Sequence, residues 1–404
     1  MLIEPRDIGA QLDTGGECNP DTGWHMQKSD ATHGRRFKTL DAWRGIAALL
    51  VAVHNFGYPP TPFVGHSSFF VDFFFVLSGF VISHAYMDKL GDRVELSVFV
   101  MRRIGRLWPL HVVMLLVFVA LDFIKILAGG ADRASFHVAP FAPPNTISAI
   151  WQNLFLVQGL GWHTQISWNG PSWSISTEFW TYLLFAAIVV CFRGSAPPRW
   201  LIAAVAAVAA CFIALFSSNY LVPNNELPIL RCIFGFFVGH LVLRAWRATA
   251  QPFASGGWFE IFALVLTLAY VRFAEGPWSM AGPLVFGLAI WAYARGDGPL
   301  SRMLVLRPFA KLGAWSYSIY MVHVLISIIV FRLLRVTGVV LTSLPHPATP
   351  WDGSGHRWAM DAVLIAYLGV VVAVSAITFR LIEEPSRRYV SGLAQMVRTR
   401  GCAH

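Results

Sequence analysis

The polar side chains that could do chemistry in this sequence lie inside long apolar segments. Arg44 and His54 share the first segment and are ten residues apart, about 15 Å along a helix axis. An ionisable group at membrane depth is costly unless it faces a cavity or a partner. A neutral imidazole there can accept a hydroxyl proton once a neighbouring group fixes its tautomer. His54 is therefore a candidate general base, with a helix-packing histidine as the alternative.

The second apolar segment holds Asp72, Ser78 and Gly79 and is followed by His84. Asp72 lies one turn inside the segment, where a carboxylate either orients an imidazole or caps its helix. Ser78 and Gly79 are small residues of the kind that lets membrane helices approach closely, and packing explains them at least as well as function.

A basic motif, RRIGR at residues 102–106, follows this segment. Arg103 and Arg106 are three residues apart and share one face of a helix. Two guanidinium groups at a membrane boundary could bind phosphates in a bidentate manner. Ordinary anchoring by basic residues at the cytoplasmic boundary is the alternative.

The fourth apolar segment begins with a polar stretch in which Ser174 and Glu178 are one turn apart. A carboxylate in this segment needs a partner. No G-x-S-x-G turn supports Ser174 as a nucleophile, so Glu178 is better interpreted as supporting a site than as attacking a substrate. Three further buried polar residues are interpreted as structural rather than catalytic, namely Arg231, His240 and His323.

Composition indicates which elements position these residues. Of 404 residues, 56% are hydrophobic and 13% are charged, against about 25% charged in a soluble domain. The 16 Trp and 31 Phe suit lipid interfaces, and the sequence predicts an all-α integral membrane protein. Five cysteines without paired spacing argue against a disulfide framework or a structural zinc site, so no metal is expected. The sequence contains no basic patch with interleaved aromatic residues, so nucleic-acid binding is not expected.

Ten apolar segments predict a bundle of about ten transmembrane helices, since most are near the ~20 residues that span a bilayer. They lie at about 40–57, 69–86, 108–128, 173–192, 200–216, 229–246, 259–273, 278–294, 312–335 and 361–381. Lys and Arg concentrate in both termini and in alternate loops, which predicts that both termini are cytoplasmic. Residues 1–38 and 391–404 are predicted as cytoplasmic tails around a transmembrane domain at 39–390. The apolar run 147–160 is short for a span, and it could lie in the interface or re-enter.

Six motifs in order resemble one family. They are LDAWRGIAALLV (40–51), FFFVLSGF (73–80), RRIGR (102–106) with Pro109, WSISTE (173–178), SYSIY (316–320) with His323, and EEP (383–385). Together they resemble the type 3 membrane acyltransferases, bacterial inner-membrane enzymes that O-acylate carbohydrates. The likeness runs from Leu40 to about Arg388.

The resemblance implies a multi-pass inner-membrane enzyme that carries an acyl group from acyl-CoA to a carbohydrate or glycolipid hydroxyl. Acetyl-CoA on the cytoplasmic side is the usual donor, and membrane lipids surround the protein. Arg44 and His54 are then the leading catalytic residues, and Arg103 and Arg106 handle the acyl-CoA. The resemblance also assigns site residues whose roles stay open or supporting. They are Trp173, Ser174, Glu178, Tyr320 and His323.

One spacing departs from the family. The family's histidine usually follows the arginine by eleven positions, where this chain has Asn55, whereas His54 follows Arg44 by ten. Ten helical steps leave the two side chains about 80° apart and eleven leave roughly 20°. Either a local helix irregularity re-aims His54, or the enzyme uses it in another geometry, or His84 or another residue substitutes.

Other functions stay open beside O-acylation of a carbohydrate. The acceptor could be a small molecule, or the donor another acyl-CoA. From a different class, a lipid-linked saccharide transporter or flippase could line its pathway with these buried charges, and a non-catalytic scaffold is a third possibility. With no hydrolase-like domain after the last segment, we expect the stand-alone form of the family.

Overall fold

The computed structural model describes residues 37–127, 139–161, 166–192, 195–221, 226–249, 257–296, 298–336 and 357–401. Within these ranges the chain is helical and contains no β-strand. The α-helices are α1 (Lys38–Phe56), α2 (Pro62–His66), α3 (Phe70–Tyr86), α4 (Arg93–Leu127), α5 (Ile147–Leu154), α6 (Ser172–Cys191), α7 (Arg199–Phe216), α8 (Pro228–Ala248), α9 (Trp258–Phe273), α10 (Gly282–Tyr293), α11 (Pro299–Leu304), α12 (Arg307–Val336), α13 (Arg357–Thr378) and α14 (Glu384–Gly401).

Each of the ten predicted apolar segments coincides with a helix, but fewer qualify as membrane spans. In the described part of the chain, seven helical stretches are long and apolar enough to cross a membrane. Helices α9 and α10 are short, with 16 and 12 residues, and polar residues such as Asp41 and Arg44 lower the hydropathy of α1. The all-helical membrane fold is confirmed, whereas ten spans and the sidedness of the termini stay predictions.

Helices α1, α3, α8 and α12 form the centre of the bundle, with α1 lying along α12 and α3 along α8. Gly79 shows how close the second pair is, because a Cβ atom there would lie 1.9 Å from the backbone oxygen of Phe236. The packing interpretation of this glycine is therefore confirmed. Fully buried aromatic rings fill the space around the crossing, namely Phe69, Phe70, Phe75, Phe80, Phe236, Phe237 and Phe286.

Helix α4 begins at Arg93, so the basic motif at 102–106 lies within a 35-residue helix and not in a loop before it. Helix α14 packs along the N-terminal part of α4. The approach is closest at Gly105, where a Cβ atom would lie 2.6 Å from Cβ of Val390. Residues 391–401, predicted as part of a tail, belong to α14, while nearly all of the predicted N-terminal tail lies outside the described residues.

The short helix α5 lies deep along α4. The Trp108 indole donates a hydrogen bond to the Leu154 carbonyl at 3.0 Å, and the His111 ring lies 2.8 Å from the Asn153 carbonyl. Helix α4 continues for 16 residues beyond His111, about 24 Å. Phe141, which precedes α5, bonds Asp122 near that far end. The chain thus runs along α4 from the level of Asp122 to that of Trp108, and re-entry and an interfacial position both stay predictions.

Candidate active site

A cavity of about 360 Å³ lies between α1, α3, α4, α6, α12 and α14. Its charged and hydroxyl-bearing lining residues are Arg44, Ser78, Tyr86, Arg102, Arg103, Arg106, Ser174, Glu178, Tyr182, Ser316, Tyr317, Tyr320, Arg387 and Ser391. Among the described lining residues, five are arginines and Glu178 is the one carboxylate. This excess of positive charge favours an anionic ligand.

Arg44 reaches the cavity from α1 and is held by α12. Its Nε donates a hydrogen bond to Ser316 Oγ at 3.0 Å, and its Nη2 donates one to the Gly313 carbonyl at 3.2 Å. Its Nη1 is 3.5 Å from Asp41 Oδ1. The first residue of the SYSIY motif therefore orients the guanidinium that the resemblance implies to be catalytic.

Arg103 lies in an aromatic cage on the same cavity. Its guanidinium carbon is 5.4, 5.9 and 5.8 Å from the ring centroids of Tyr86, Phe99 and Tyr182, within the range of cation–π attraction. Its Nη2 is 3.4 Å from the Tyr86 hydroxyl, whereas its buried Nε has no hydrogen-bond acceptor among the described residues. An anionic oxygen would supply that acceptor.

Arg106 and its neighbour Arg102 line the cavity beside Arg103. Within the described ranges no carboxylate forms an ion pair with any of these three arginines. Uncompensated guanidinium groups that converge from one helix suit phosphate groups. The residues present therefore fit the phosphates of an acyl-CoA.

Glu178 is bound within a small hydroxyl cluster. Its Oε1 accepts hydrogen bonds from Ser78 Oγ at 2.5 Å and from the Tyr182 hydroxyl. Ser174, one turn earlier, donates to the Pro171 carbonyl at 3.0 Å and contacts the Tyr320 hydroxyl at 2.8 Å. No histidine is among the described residues that line the cavity. The geometry thus offers Ser174 no adjacent imidazole that would make it a nucleophile.

Asp72 and Trp173 lie outside the cavity and support the helices around it. Both carboxylate oxygens of Asp72 accept hydrogen bonds from Arg231, each at 2.7 Å. Among the described residues Asp72 therefore pairs with a guanidinium and not with an imidazole, and it lies in the first turn of α3, as a helix-capping carboxylate would. Arg231 also lies over the Trp173 ring, 5.7 Å from its centroid. The charges are neutralised where they are buried, as an intramembrane pair requires.

His54 also lies outside the cavity. Its Nδ1 is 3.0 Å from the Val64 carbonyl of α2, and because a carbonyl only accepts, Nδ1 carries the proton and Nε2 is the basic nitrogen. Helix α1 is α-helical throughout, so no irregularity re-aims His54. Asn55 bonds Val51 of its own helix at 3.0 Å, and His84 packs against Phe37 away from the cavity. The alternative in which His54 works in another geometry fits these contacts.

His323 lies at the level of His54. The Tyr367 hydroxyl is 3.3 Å from the Ala52 carbonyl and 3.2 Å from the His323 carbonyl, which ties α1 to α12 there. The His323 ring is fully buried, and its centroid is 5.8 Å from that of Tyr320. Tyr320 lines the cavity. Helix α12 therefore leads from Arg44, past Tyr320, to the level of both histidines.

Sequence reasoning did not select several lining residues, namely Tyr86, Arg102, Tyr182, Tyr317 and Arg387. Tyr182 had a signal, since it lies one helical turn from Glu178. For Arg387 the sequence carries no such signal apart from the EEP motif that precedes it. The described residues contain no group of three or more His, Cys, Asp or Glu side chains that could hold a metal ion.

Similarity to known proteins indicates that the chain is an acyltransferase. A family model described as an acyltransferase domain matches residues 37–380. The acyltransferase MdmB of Streptomyces mycarofaciens is 28% identical over 352 residues, which is 79% of this chain and 80% of that protein. The peptidoglycan O-acetyltransferase OatA of Listeria monocytogenes is 23% identical over 396 residues, 89% of this chain and 57% of its own length.

A third relative, named protein 2 in the picA locus of Rhizobium radiobacter, is 42% identical over 91 residues, 21% of this chain and 45% of that protein. The chain thus spans about half the length of two of these three relatives. No solved structure matches the chain. The acyltransferase family model covers most of the sequence, including every cavity-lining helix except α14. This multi-pass helical protein therefore belongs to the acyltransferase 3 family.

Proposed function

We propose that this protein is a bacterial inner-membrane O-acyltransferase that moves an acetyl group from acetyl-CoA to a hydroxyl of a carbohydrate, such as a cell-surface polysaccharide or glycolipid. The observation that carries the proposal is the convergence of five arginines on one cavity whose described lining residues include a single carboxylate. The similarity to OatA, a protein named as a peptidoglycan O-acetyltransferase, supports a carbohydrate acceptor.

The donor binds in the arginine-lined cavity. Arg103 and Arg106, with Arg102 beside them, bind its phosphates, and Tyr86 and Tyr182 hold the guanidinium of Arg103 in place. When bound, the donor supplies a thioester whose carbonyl accepts a nucleophile. Glu178 lines the same cavity and accepts a hydrogen bond from the Tyr182 hydroxyl, so it positions the ring that packs on Arg103.

His54 is the general base. Its Nε2 takes the proton of the acceptor hydroxyl as that oxygen bonds to the acyl carbon. The carbon–sulfur bond breaks, and the proton passes to the departing CoA thiolate, without an acyl-enzyme intermediate. Trapping an acetyl-histidine species from acetyl-CoA alone would contradict this direct transfer.

Arg44 and His54 have different roles because they are about 15 Å apart along α1. Two groups at that separation do not contact the same carbonyl. Arg44, which lines the cavity and is held by Ser316 and Gly313, orients the donor. For the thioester to reach His54, its arm must pass beyond the cavity and along α12, past Tyr320.

The test is donor binding and thiol release by the purified protein in detergent, with a cell-envelope glycan as acceptor. The wild type is compared with His54→Ala, Arg103→Ala and Arg93→Ala, the last an exposed arginine of the same helix. We expect His54→Ala to bind acetyl-CoA without turnover, Arg103→Ala to bind poorly, and Arg93→Ala to match the wild type.

Failure of the wild type to bind acetyl-CoA would refute this donor, and succinyl-CoA would then be tried as a second acyl-CoA. Thiol release with a small hydroxylated molecule but no glycan would identify a small-molecule acceptor. Movement of a lipid-linked saccharide without any thiol release would establish the transporter alternative and exclude the enzyme.

A further inference from the structure

Helix α14 begins with the last residues of the EEP motif, just after the family model ends at residue 380, and brings a charged side chain into the donor cavity. Two of its residues, Arg387 and Ser391, line the cavity. A short π-helical segment, Phe379–Glu383, joins α13 to α14 and contacts α4. Such segments are frequent at functional sites.

Two contacts hold α14 against the helix that carries the basic motif. Gly105 lies inside that motif, and the absence of a side chain there lets Val390 approach. Nearer the end of α14, Nε of Arg398 is 2.7 Å from Glu95 Oε1. Arg387 and the motif arginines therefore belong to one rigid pair of helices.

The ion pair of Arg387 leaves its guanidinium able to bind a ligand. Its Nη1 is 3.6 Å from Glu383 Oε1, which is too long for a hydrogen bond, and its side chain is 43% exposed. Glu383 itself is 1% exposed and is anchored by Ser318 Oγ, which donates to Oε2 at 3.0 Å. Glu383 thus holds Arg387 at the cavity without saturating its donors.

We propose that Arg387 is a further phosphate-binding residue for the nucleotide part of the acyl donor. The inference rests on the proposed function, since it assigns Arg387 to the same ligand as Arg103 and Arg106. A guanidinium binds a phosphate through paired charge-assisted hydrogen bonds, and Arg387 is the cavity arginine that α14 supplies. The C-terminal helix is therefore part of the donor site and not a tail.

The test compares binding of CoA with binding of pantetheine, which has the same thiol arm and no phosphate. The full-length protein in detergent is titrated calorimetrically as wild type, Arg387→Ala, Arg387→Lys and Arg388→Ala. Arg388 is the matched control, because it pairs with Glu384 at the same helical spacing but is 78% exposed and does not line the cavity.

We expect Arg387→Ala to weaken CoA binding about tenfold, as loss of a charged hydrogen bond does, and to leave pantetheine binding unchanged. Arg387→Lys should lose less, and Arg388→Ala should match the wild type. If Arg387→Ala does not fold, Arg387→Gln takes its place.

Equal weakening of CoA and pantetheine binding would overturn the assignment, because it would mark a structural role for α14. Equal CoA affinities of Arg387→Ala and Arg388→Ala would overturn the assignment as well. Either result leaves the proposed function intact as long as the wild type binds CoA. A wild type that binds no CoA refutes the proposed donor and the Arg387 assignment together.

Discussion

Ser78 Oγ donates a hydrogen bond to Glu178 Oε1 at 2.5 Å and so joins α3 to α6 on the cavity wall. The same carboxylate oxygen accepts from the Tyr182 hydroxyl, and the Tyr182 ring lies 5.8 Å from the Arg103 guanidinium. One carboxylate therefore connects the serine of the second motif to the aromatic cage of the third.

Removal of Glu178 should destabilise the fold more than removal of Ser78. Glu178→Ala removes the acceptor of two hydroxyl groups. One of them can then donate to the other, since Ser78 Oγ and the Tyr182 hydroxyl oxygen are 2.6 Å apart, and the remaining one loses its acceptor at a cost of about 1–3 kcal/mol. Ser78→Ala removes one donor and leaves the Tyr182 bond in place. Thermal unfolding in detergent measures both, and a larger loss for Ser78→Ala would contradict the cluster as described.

Replacement of Arg44 by Ala should lower thiol release by about 100-fold, the scale of a misplaced substrate, with little loss of folded protein. Lys38→Ala, at the exposed start of α1, is the matched control and should retain activity. Turnover is measured per mole of folded protein. Equal losses of activity and abundance would make Arg44 a structural residue.

The histidine should function at position 54 and not at the position expected from the family spacing. The double variant His54→Ala/Asn55→His should stay inactive in thiol release, because a side chain one residue on points about 100° away from the Val64 carbonyl that orients His54. Asn55→Ala alone should retain activity. Recovery of turnover in the double variant would show that the helix face of Asn55 is the reactive one.

Breaking the buried pair of Asp72 and Arg231 should lower the free energy of unfolding more than replacing both residues with apolar ones. Asp72→Ala leaves an uncompensated buried guanidinium and should cost about 3–5 kcal/mol of unfolding free energy. The double variant Asp72→Leu/Arg231→Met removes both charges and should regain more than half of that loss. Unfolding midpoints in detergent test this, and a double variant no better than Asp72→Ala would show that the pair does more than neutralise charge.

Gly79→Ala should destabilise the protein by about 1–3 kcal/mol. The added methyl group would meet the backbone of Phe236, which cannot turn aside as a side chain can. Gly369→Ala on α13 is the control, since nothing lies within 4 Å of its Cβ position, and it should be neutral or slightly stabilising. Equal unfolding midpoints for the two variants would contradict the close α3–α8 crossing.

Much of the fold follows from local sequence. Helix existence depends on apolar runs of membrane length, and all ten predicted runs are helical. The shared face of Arg103 and Arg106 follows from helical spacing alone, and both line the cavity. The number of spans stays a prediction, because α1, α9 and α10 are not among the described helices that are long and apolar enough to cross a membrane.

The differences between sequence and structure concern partners that are distant in the chain. Asp72 was expected to orient an imidazole or cap a helix, but its partner Arg231 is 159 positions away. Residues 391–401 were expected to form a tail, but they extend a helix whose Arg387 lines the cavity. A polar segment carries no hydropathy signal that tells a tail from a docked helix.

The sequence by itself determined that this is a helical membrane protein, that it resembles the acyltransferase 3 family, and which arginines share a helix face. Those properties depend on composition, on ordered motifs and on the helical repeat. Only the tertiary structure decided that Arg44, Glu178, Arg103 and Arg387 meet at one cavity while His54 and Asp72 do not. Helices far apart in sequence pack by shape, through contacts such as Gly79 on Phe236 and Gly105 on Val390, and no local pattern encodes which pair will meet.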